Sequence, residues 1–458
     1  MCVVALALPL LEAWLMNVFA RPIGALHDPV PIVAIHLVEI AVYGAIALAA
    51  RLCTKPPSLR TAGVICVVAT VLGVAFMFQP DLLWGRGFQV GVALVNAVRA
   101  VALLVALMLF VNVGRTKCAV AILLAMLCSY VALAFFVYVV PSLALLAFAA
   151  IPTLCLALAL PGSEALIASW GTDRAPLRDL SAVNPLSFLP FTHTFFVALL
   201  VFRMASGVSL AYGEEVFDGL RVIAAACIVC VAFLVARGLG RDSFSDALYL
   251  ASAVLVLAGF AVVALPWIDA SVSRVLWSAG SDAFRVLAFF VLISVARRNP
   301  RAAVLVFAWG LAALTTGSLA GNCVIYAAEW LGGDDPRAME AVLVATGFLF
   351  AVYNIVGLHS FGWERTIEGV EGRKAPEPVP VVPDFDEICN RAATLYGLTK
   401  REGEVLRYLA RGRSVPYIQE ALSVSGNTVR THVKHIYAKM DVRSQQQLIS
   451  LLEGSLEV

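Results

Sequence analysis

The sequence predicts an all-α protein: a polytopic membrane helical bundle of about twelve spans, arranged 6+6, followed by a small soluble four-helix module. Three observations predict it. Hydrophobic residues make up 61% of the 458 residues and charged residues only 14%, whereas soluble domains run nearer half and a quarter. Mean hydropathy is +0.89. Apolar runs of roughly 20 residues, the length that crosses a hydrocarbon core, recur along most of the chain. From Gly362 the composition then turns charged, Gly- and Pro-rich, and finally amphipathic.

The expected spans are 2–20, 30–50, 61–79, 88–111, 118–139, 141–160, 190–211, 217–236, 245–265, 274–296, 302–331 and 338–360, so the bundle covers 1–361. The opening "MCVVALALPLLEAWLMNVFA" lacks the basic n-region and small-x-small cleavage site of a signal peptide, and reads as the first span. Connections are short except 161–189, which separates six spans from six. Of the ten cysteines, Cys227 and Cys230 form a CxxC inside "AACIVCVAF". A redox or zinc pair needs polar surroundings or a second pair, so these two read as small apolar residues on a span. No cofactor and no metal is expected.

Net charge is only +2, but its distribution is informative. Loops after even-numbered spans hold twelve Lys/Arg, including Arg51, Lys55, Arg115, Arg237, Arg297 and Arg298; loops after odd-numbered spans hold five, Arg21, Arg86, Arg221, Arg274 and Arg337. Cationic loops stay in the cytoplasm. The expected location is a prokaryotic cell membrane, multi-pass, with both termini cytoplasmic.

Residues 362–383, "GWERTIEGVEGRKAPEPVPVVP", read as a tether. The module covers 384–458. Thr399 and Glu402 form a capping box that opens "TKREGEVLRYLARG", and Gly412 ends that helix. Ser414 caps "VPYIQEAL", with Pro416 in its tolerant first turn. After the turn at Ser423-Val424, Ser425 caps a third helix, and a fourth covers 444–453. On the third helix Val429, Val433, Ile436 and Met440 form a buried stripe at helical spacing. The opposite face presents Asn427, Arg430, Thr431, Lys434 and His435. Two helices joined by a short turn, the second carrying cations, form a helix-turn-helix that fits the major groove of double-stranded DNA. Arg430, Thr431, Lys434 and Asn427 are placed to meet base edges. Lys400, Lys439 and Arg443 are placed to meet phosphates, which fix register without reading sequence.

These residues carry a resemblance. Leu398-Thr-x-Arg-Glu402, Gly412-x-Ser414, an Ile418-centred helix, Ser425-x-x-Thr-Val429, His432-Val433 and Ile436-Tyr-x-Lys439 closely resemble the LuxR/NarL-type C-terminal DNA-binding domain. The resemblance implies base contacts at Arg430, Thr431 and Lys434, and a homodimer through the 444–453 helix. One departure is Tyr417-Ile418-Gln419, where that family usually has Glu-Ile-Ala; Gln419 replaces a small residue near the helix crossing. Many members carry a receiver domain in front. Here the membrane bundle holds that input position.

Ionisable groups within spans are costly and mark functional interiors. The sequence places Glu12, Glu39, Arg99, Arg203, Asp282, Arg285 and Glu329 there. His36, Glu39 and Tyr43 share a face, as do Asn96 with Arg99 and Asn322 with Tyr326 and Glu329; Asp282 and Arg285 are spaced to pair. Glu39, Asn96, Arg99, Arg203, Asp282 and Arg285 are the candidate cavity for a small ligand. Six plus six spans also resemble the major facilitator superfamily in topology. That family's Gly-x-x-x-Asp-Arg signature is missing from "RLCTKPPSLR" between the second and third spans, and "RGLGRDSFSD" is only a faint echo. No catalytic constellation or phosphate loop is present, so the chain does not read as an enzyme. Three readings stay open: a membrane-bound one-component regulator that senses a small molecule, a major-facilitator-like transporter with a fused DNA-binding domain, and an inert anchor for a DNA binder.

Overall fold

Each stretch expected to cross the bilayer is helical in the computed structural model, which describes residues 1–20, 30–52, 58–79, 86–168, 194–211, 219–238, 244–265, 267–298, 300–332, 336–357, 363 and 385–454. The chain divides into two units, Met1–Arg373 and Lys374–Val458. The first contains α1 (Cys2–Ala20), α2 (Val30–Leu52), α3 (Leu59–Met77), α4 (Gly87–Leu109), α5 (Arg115–Ala134) and α6 (Pro141–Ala168). It continues with α7 (Thr194–Ala211), α8 (Gly219–Gly238), α9 (Phe244–Val263), α10 (Ala270–Arg298), α11 (Ala303–Gly332) and α12 (Pro336–Val352). Among the described residues eight helices are long and apolar enough to cross a membrane, and four shorter apolar stretches lie in α1, α3, α7 and α8.

The apolar surface follows from that setting. Val64, Ile65, Val68, Val71, Phe348 and Leu349 on α3 and α12 are exposed, a display that water would penalise and lipid does not. By contrast, α4 and α10 are buried along nearly their whole length. One boundary differs from expectation. The sixth span was expected over 141–160, but α6 continues to Ala168. Neighbouring helices re-satisfy backbone groups freed by an intramembrane proline, and Gly162 lies against Leu109.

The crossing of α7 and α11 sets the position of the interior charges. Gly317 and Gly321, a GxxxG pair on α11, face Gly207 on α7. A Cβ at Gly317 would strike the Leu200 carbonyl and Cβ of Arg203, and one at Gly321 would strike the Met204 carbonyl. Small residues thus bring two backbones into contact, the usual device where lipid gives no hydrophobic drive. At one end of the bundle Arg297 Nε donates to the Val111 carbonyl at 3.1 Å, and the same guanidinium donates to Val113. The connections after α4 and α10, both cation-bearing, therefore lie at the same end.

The second unit contains α13 (Phe385–Leu395), α14 (Lys400–Ala410), α15 (Val415–Leu422), α16 (Gly426–Met440) and α17 (Gln445–Gly454). Four of these were expected; α13 is an addition, seated by Cys389 and Ala392. The core joins Val405, Leu406, Leu409, Ile418, Val429, Ile436, Met440 and Leu448. Gly397 and Gly412 adopt φ +60° and +74°, ending α13 and α14 in the left-handed region open to glycine.

Replacing Gly321 with Leu should force α7 and α11 apart and lower stability by about 1–3 kcal/mol, the usual cost of overpacking. Denaturant unfolding of the full chain in micelles reads this, and Gly44→Leu, at a position with open space, should change little.

Candidate DNA interface and membrane cavity

The recognition helix is built from its cap. Ser425 Oγ accepts from the Thr428 backbone N–H at 3.2 Å, and Val429, Ile436 and Met440 bury one side of α16, with Val433 half-buried beside them. This leaves Asn427, Arg430, Thr431, Lys434 and His435 exposed on the other. Arg430 donates to Asn427 Oδ1 at 3.4 Å, and Thr431 Oγ1 to the Asn427 carbonyl at 2.9 Å. The four residues expected to read bases therefore form one solvent-facing patch. Ser414 sits at the N-cap of α15 but makes no side-chain capping bond, contrary to expectation; Pro416 near the helix start is what remains of that signal. The unusual Gln419 has room because Gly426 faces it: a Cβ there would lie 2.8 Å from Gln419 Oε1. Ser423, at φ 52°, makes the turn between α15 and α16.

Lys439 is differently placed from Lys400 and Arg443. The latter two are exposed. Lys439 Nζ lies 2.7 Å from Glu402 Oε2 and donates to the Gly397 carbonyl at 3.1 Å. Glu402, almost wholly buried, also accepts from the Thr399 N–H at 2.7 Å, completing the capping box. One carboxylate thus joins the start of α14 to the end of α16. The Lys439 ammonium, and then the Thr399 N–H, hold the Glu402 carboxyl down from 4.5 to about 2. On α17, Leu448 and Leu452 turn inward to the core, while Gln446, Gln447 and Ser450 are exposed.

In the bundle the structure brings Glu39, Arg99, Arg203, Asp282 and Arg285 to the walls of one cavity of about 110 Å³, with His36 and Tyr43 from the same α2 stripe as Glu39. Asn96 stands behind, its Oδ1 accepting from Arg99 Nε at 2.8 Å and its amide donating to the Ile35 carbonyl at 3.3 Å. Arg99 pairs with Glu12 at 2.7 Å and with Glu39. Arg285 pairs with Asp282 at 2.9 Å, which also accepts from Tyr130. Thr315 donates to Glu39 at 3.2 Å. Arg203 differs: it donates to Ser281 Oγ at 3.1 Å and has no carboxylate at ion-pair distance among the described residues. The sequence counted Glu12 without placing it against Arg99, because nothing in local spacing joins α1 to α4. Asn322 is buried one turn beyond the cavity wall and Glu329 is exposed, so that expected trio lines no shared cavity.

A second feature was not legible at all. Trp363, within the stretch read as tether, is fully buried. Its ring meets Phe195 at 6.0 Å, Phe284 at 5.6 Å and Tyr249 at 5.5 Å between centroids. Its backbone N–H donates to Asp246 Oδ1 at 3.0 Å. Phe202 stacks on Phe284 at 4.1 Å. Thus part of the cage that holds Trp363 is made by the turn of α10 that carries Asp282 and Arg285, and Phe202, beside Arg203 on α7, stacks on the same Phe284.

Residues 397–452 match the family described as "Bacterial regulatory proteins, luxR family". The chain is 34% identical over 79 residues to the response regulator protein VraR of Staphylococcus epidermidis, covering 17% of this chain and 38% of that one. It is 35% identical over 88 residues to the probable transcriptional regulatory protein NarL of Mycobacterium tuberculosis, covering 19% and 41%. The similarity thus spans about two-fifths of these relatives. The crystal structure of the Major Facilitator Superfamily transporter FucP in the outward conformation is similar at TM-score 0.46 and 12% identity, over 80% of this chain and 99% of that one; a likeness at that level says nothing about transport. The C-terminal unit therefore contains a LuxR-family DNA-binding domain, and a membrane helical bundle precedes it.

The Glu402 clamp carries a pH signature. Its folded pKa is depressed, so its contribution is complete above the ordinary carboxylate pKa and is lost as pH falls towards about 2. Unfolding of the Lys374–Val458 fragment should lose on the order of 1 kcal/mol between pH 5 and pH 2 from this group, because the partly exposed Lys439 leaves the pair screened by water. Lys439→Met should flatten that dependence.

Proposed function

We propose that the chain is a membrane-bound one-component transcriptional regulator: the bundle binds a small molecule, and the cytoplasmic helix-turn-helix binds operator DNA as a dimer. The observation that carries this reading is the seat of Trp363. The tether read over 362–383 includes a side chain caged by Phe195, Tyr249 and Phe284, and Phe284 shares its turn of α10 with Asp282 and Arg285, which line a polar cavity. A ligand that prefers one arrangement of α7 against α10 shifts the cage, and with it the start of the tether. Only such differential affinity can bias the two states.

On DNA, Arg430, Thr431, Lys434 and Asn427 read bases while Lys400 and Arg443 meet phosphates. Lys439 positions α16 through Glu402 and contributes its charge nearby. The unit carries nearly balanced charge, so one copy binds weakly. A pair held through the exposed side of α17 gains effective concentration on a repeated half-site. The cation-rich loops favour a cytoplasmic face for this end of the bundle in the cell membrane. The relatives that match the C-terminal unit are named as response or transcriptional regulators, which supports regulation over catalysis.

Two measurements test this. Arg430→Ala with Lys434→Ala in the Lys374–Val458 fragment should weaken specific operator binding by about 100-fold or more, at roughly 1–3 kcal/mol per base-reading side chain. Lys400→Ala should instead weaken binding to all sequences alike and lower the salt slope by about one. Unchanged footprints in the double variant would refute the base-reading assignment. In cells, transcripts from neighbouring genes should respond to at least one small molecule in wild type and not in a deletion strain. Trp363→Ala should make them unresponsive, although the fragment's operator affinity is untouched. Ligand-independent transcript levels in wild type, together with uptake into vesicles, would favour a carrier instead.

A further inference from the structure

We propose that the cavity takes a small organic monoanion, a monocarboxylate of roughly three to five carbons, with its carboxylate on Arg203 and its apolar part towards α1, α4 and α11. The inference rests on the bundle being a ligand-binding unit and names what it binds.

The charge arrangement comes first. Every carboxylate among the cavity's charged groups has a guanidinium at ion-pair distance: Glu12 and Glu39 share Arg99, and Asp282 has Arg285. Arg203 is the one guanidinium of the three without a carboxylate at ion-pair distance among the described residues; it donates to the neutral Ser281 hydroxyl at 3.1 Å. A desolvated cation without a counter-charge is expensive inside a bundle. An anion at that point relieves the cost. On the α1/α2/α4 side the Arg99 guanidinium is met by two carboxyl groups. The α7/α10 side, with Arg203, Arg285 and Asp282, is formally +1. An anion is therefore drawn to the Arg203 side, which fixes its orientation.

Donors and shape agree. Ser206 lies one turn from Arg203 on the same face of α7 and lines the cavity; its hydroxyl hydrogen-bonds no described residue. It supplies a second donor for a carboxylate oxygen. Leu10, Leu103, Leu311 and Leu314 line the space beyond and offer nothing to a second charged group. The volume of about 110 Å³ is somewhat below the roughly 150 Å³ of a cavity known to hold benzene. A small acid with a short apolar tail fits this description.

The experiment uses the purified full chain in lipid nanodiscs at pH 7, with propionate, butyrate and pentanoate as probes and the matching primary amides as neutral controls. Binding is read by calorimetry and by thermal shift. At least one acid should bind saturably and at least tenfold tighter than its amide. Arg203→Gln should cost that acid at least tenfold, and Arg203→Lys should restore part of the loss. Equal binding of acids and amides, or no binding by any acid, would overturn the proposal, and neither result requires a variant to fold. Retained affinity in Arg203→Gln would overturn it too. If the acid binds through Arg203 but operator occupancy by the full chain does not change, the ligand assignment stands and the regulator reading falls.

Discussion

Inside the bundle the governing interaction is the one between Arg99 and its two carboxylates. A guanidinium surrounded by apolar helices must be paired and hydrogen-bonded or it destabilises the fold. Glu12, Glu39 and the Asn96 amide meet that demand from α1, α2 and α4, so the charge that threatens the N-terminal half also fixes how its helices meet. The C-terminal half repeats the device with Arg285, Asp282 and Tyr130, joining α10 to α5. Thr315 reaches from α11 to Glu39 and links the two sets. The cavity is the space left between two charge clusters that cannot merge without leaving one of them unpaired.

The DNA-binding unit uses the same chemistry where water competes. Glu402 is buried, but its partner Lys439 is partly exposed, so the clamp is weaker than a pair within the bundle and can respond to pH. Its value is positional. It holds the end of α16 against the start of α14, while Ser425 and the apolar stripe set the other end of the helix. The exposed patch from Asn427 to Lys434 is therefore presented by a helix fixed at both ends, as a base-reading surface requires.

Periodicity and composition made much of this legible. The twelve apolar runs, the Thr399–Glu402 box, the Ser425 cap and the Val429/Ile436/Met440 stripe are local patterns, and local patterns are what a sequence displays. The charged residues of the spans could be named, and spacing could pair Asp282 with Arg285 because they share a helix. Spacing could not give Glu12 to Arg99, Tyr130 to Asp282 or Thr315 to Glu39, since those pairs depend on which helices pack together. Trp363 was hidden for a different reason: its neighbours in sequence are Gly, Glu and Arg, and nothing local separates a buried tryptophan there from an exposed one. Helix α13 was not among the expected helices; among its described side chains Cys389 and Ala392 bury against the rest. Conversely, Gln419 looked like a packing fault, and Gly426, seven residues on, accommodates it.

The location of Trp363 also bears on how a signal could leave the bundle. A tether that began at an exposed residue would swing freely, and small helix shifts would be lost in its motion. One that begins in a cage of Phe195, Tyr249 and Phe284 inherits the position of α7, α9 and α10. Eleven residues, "ERTIEGVEGRK", separate Trp363 from the Pro-rich "APEPVPVVP", a composition that favours an extended chain. Two weak DNA-binding units depend steeply on their effective concentration at a double site. In the proposed regulator the bundle therefore need not touch the recognition helix: moving the point from which each tether starts is enough to change how readily two copies meet on DNA.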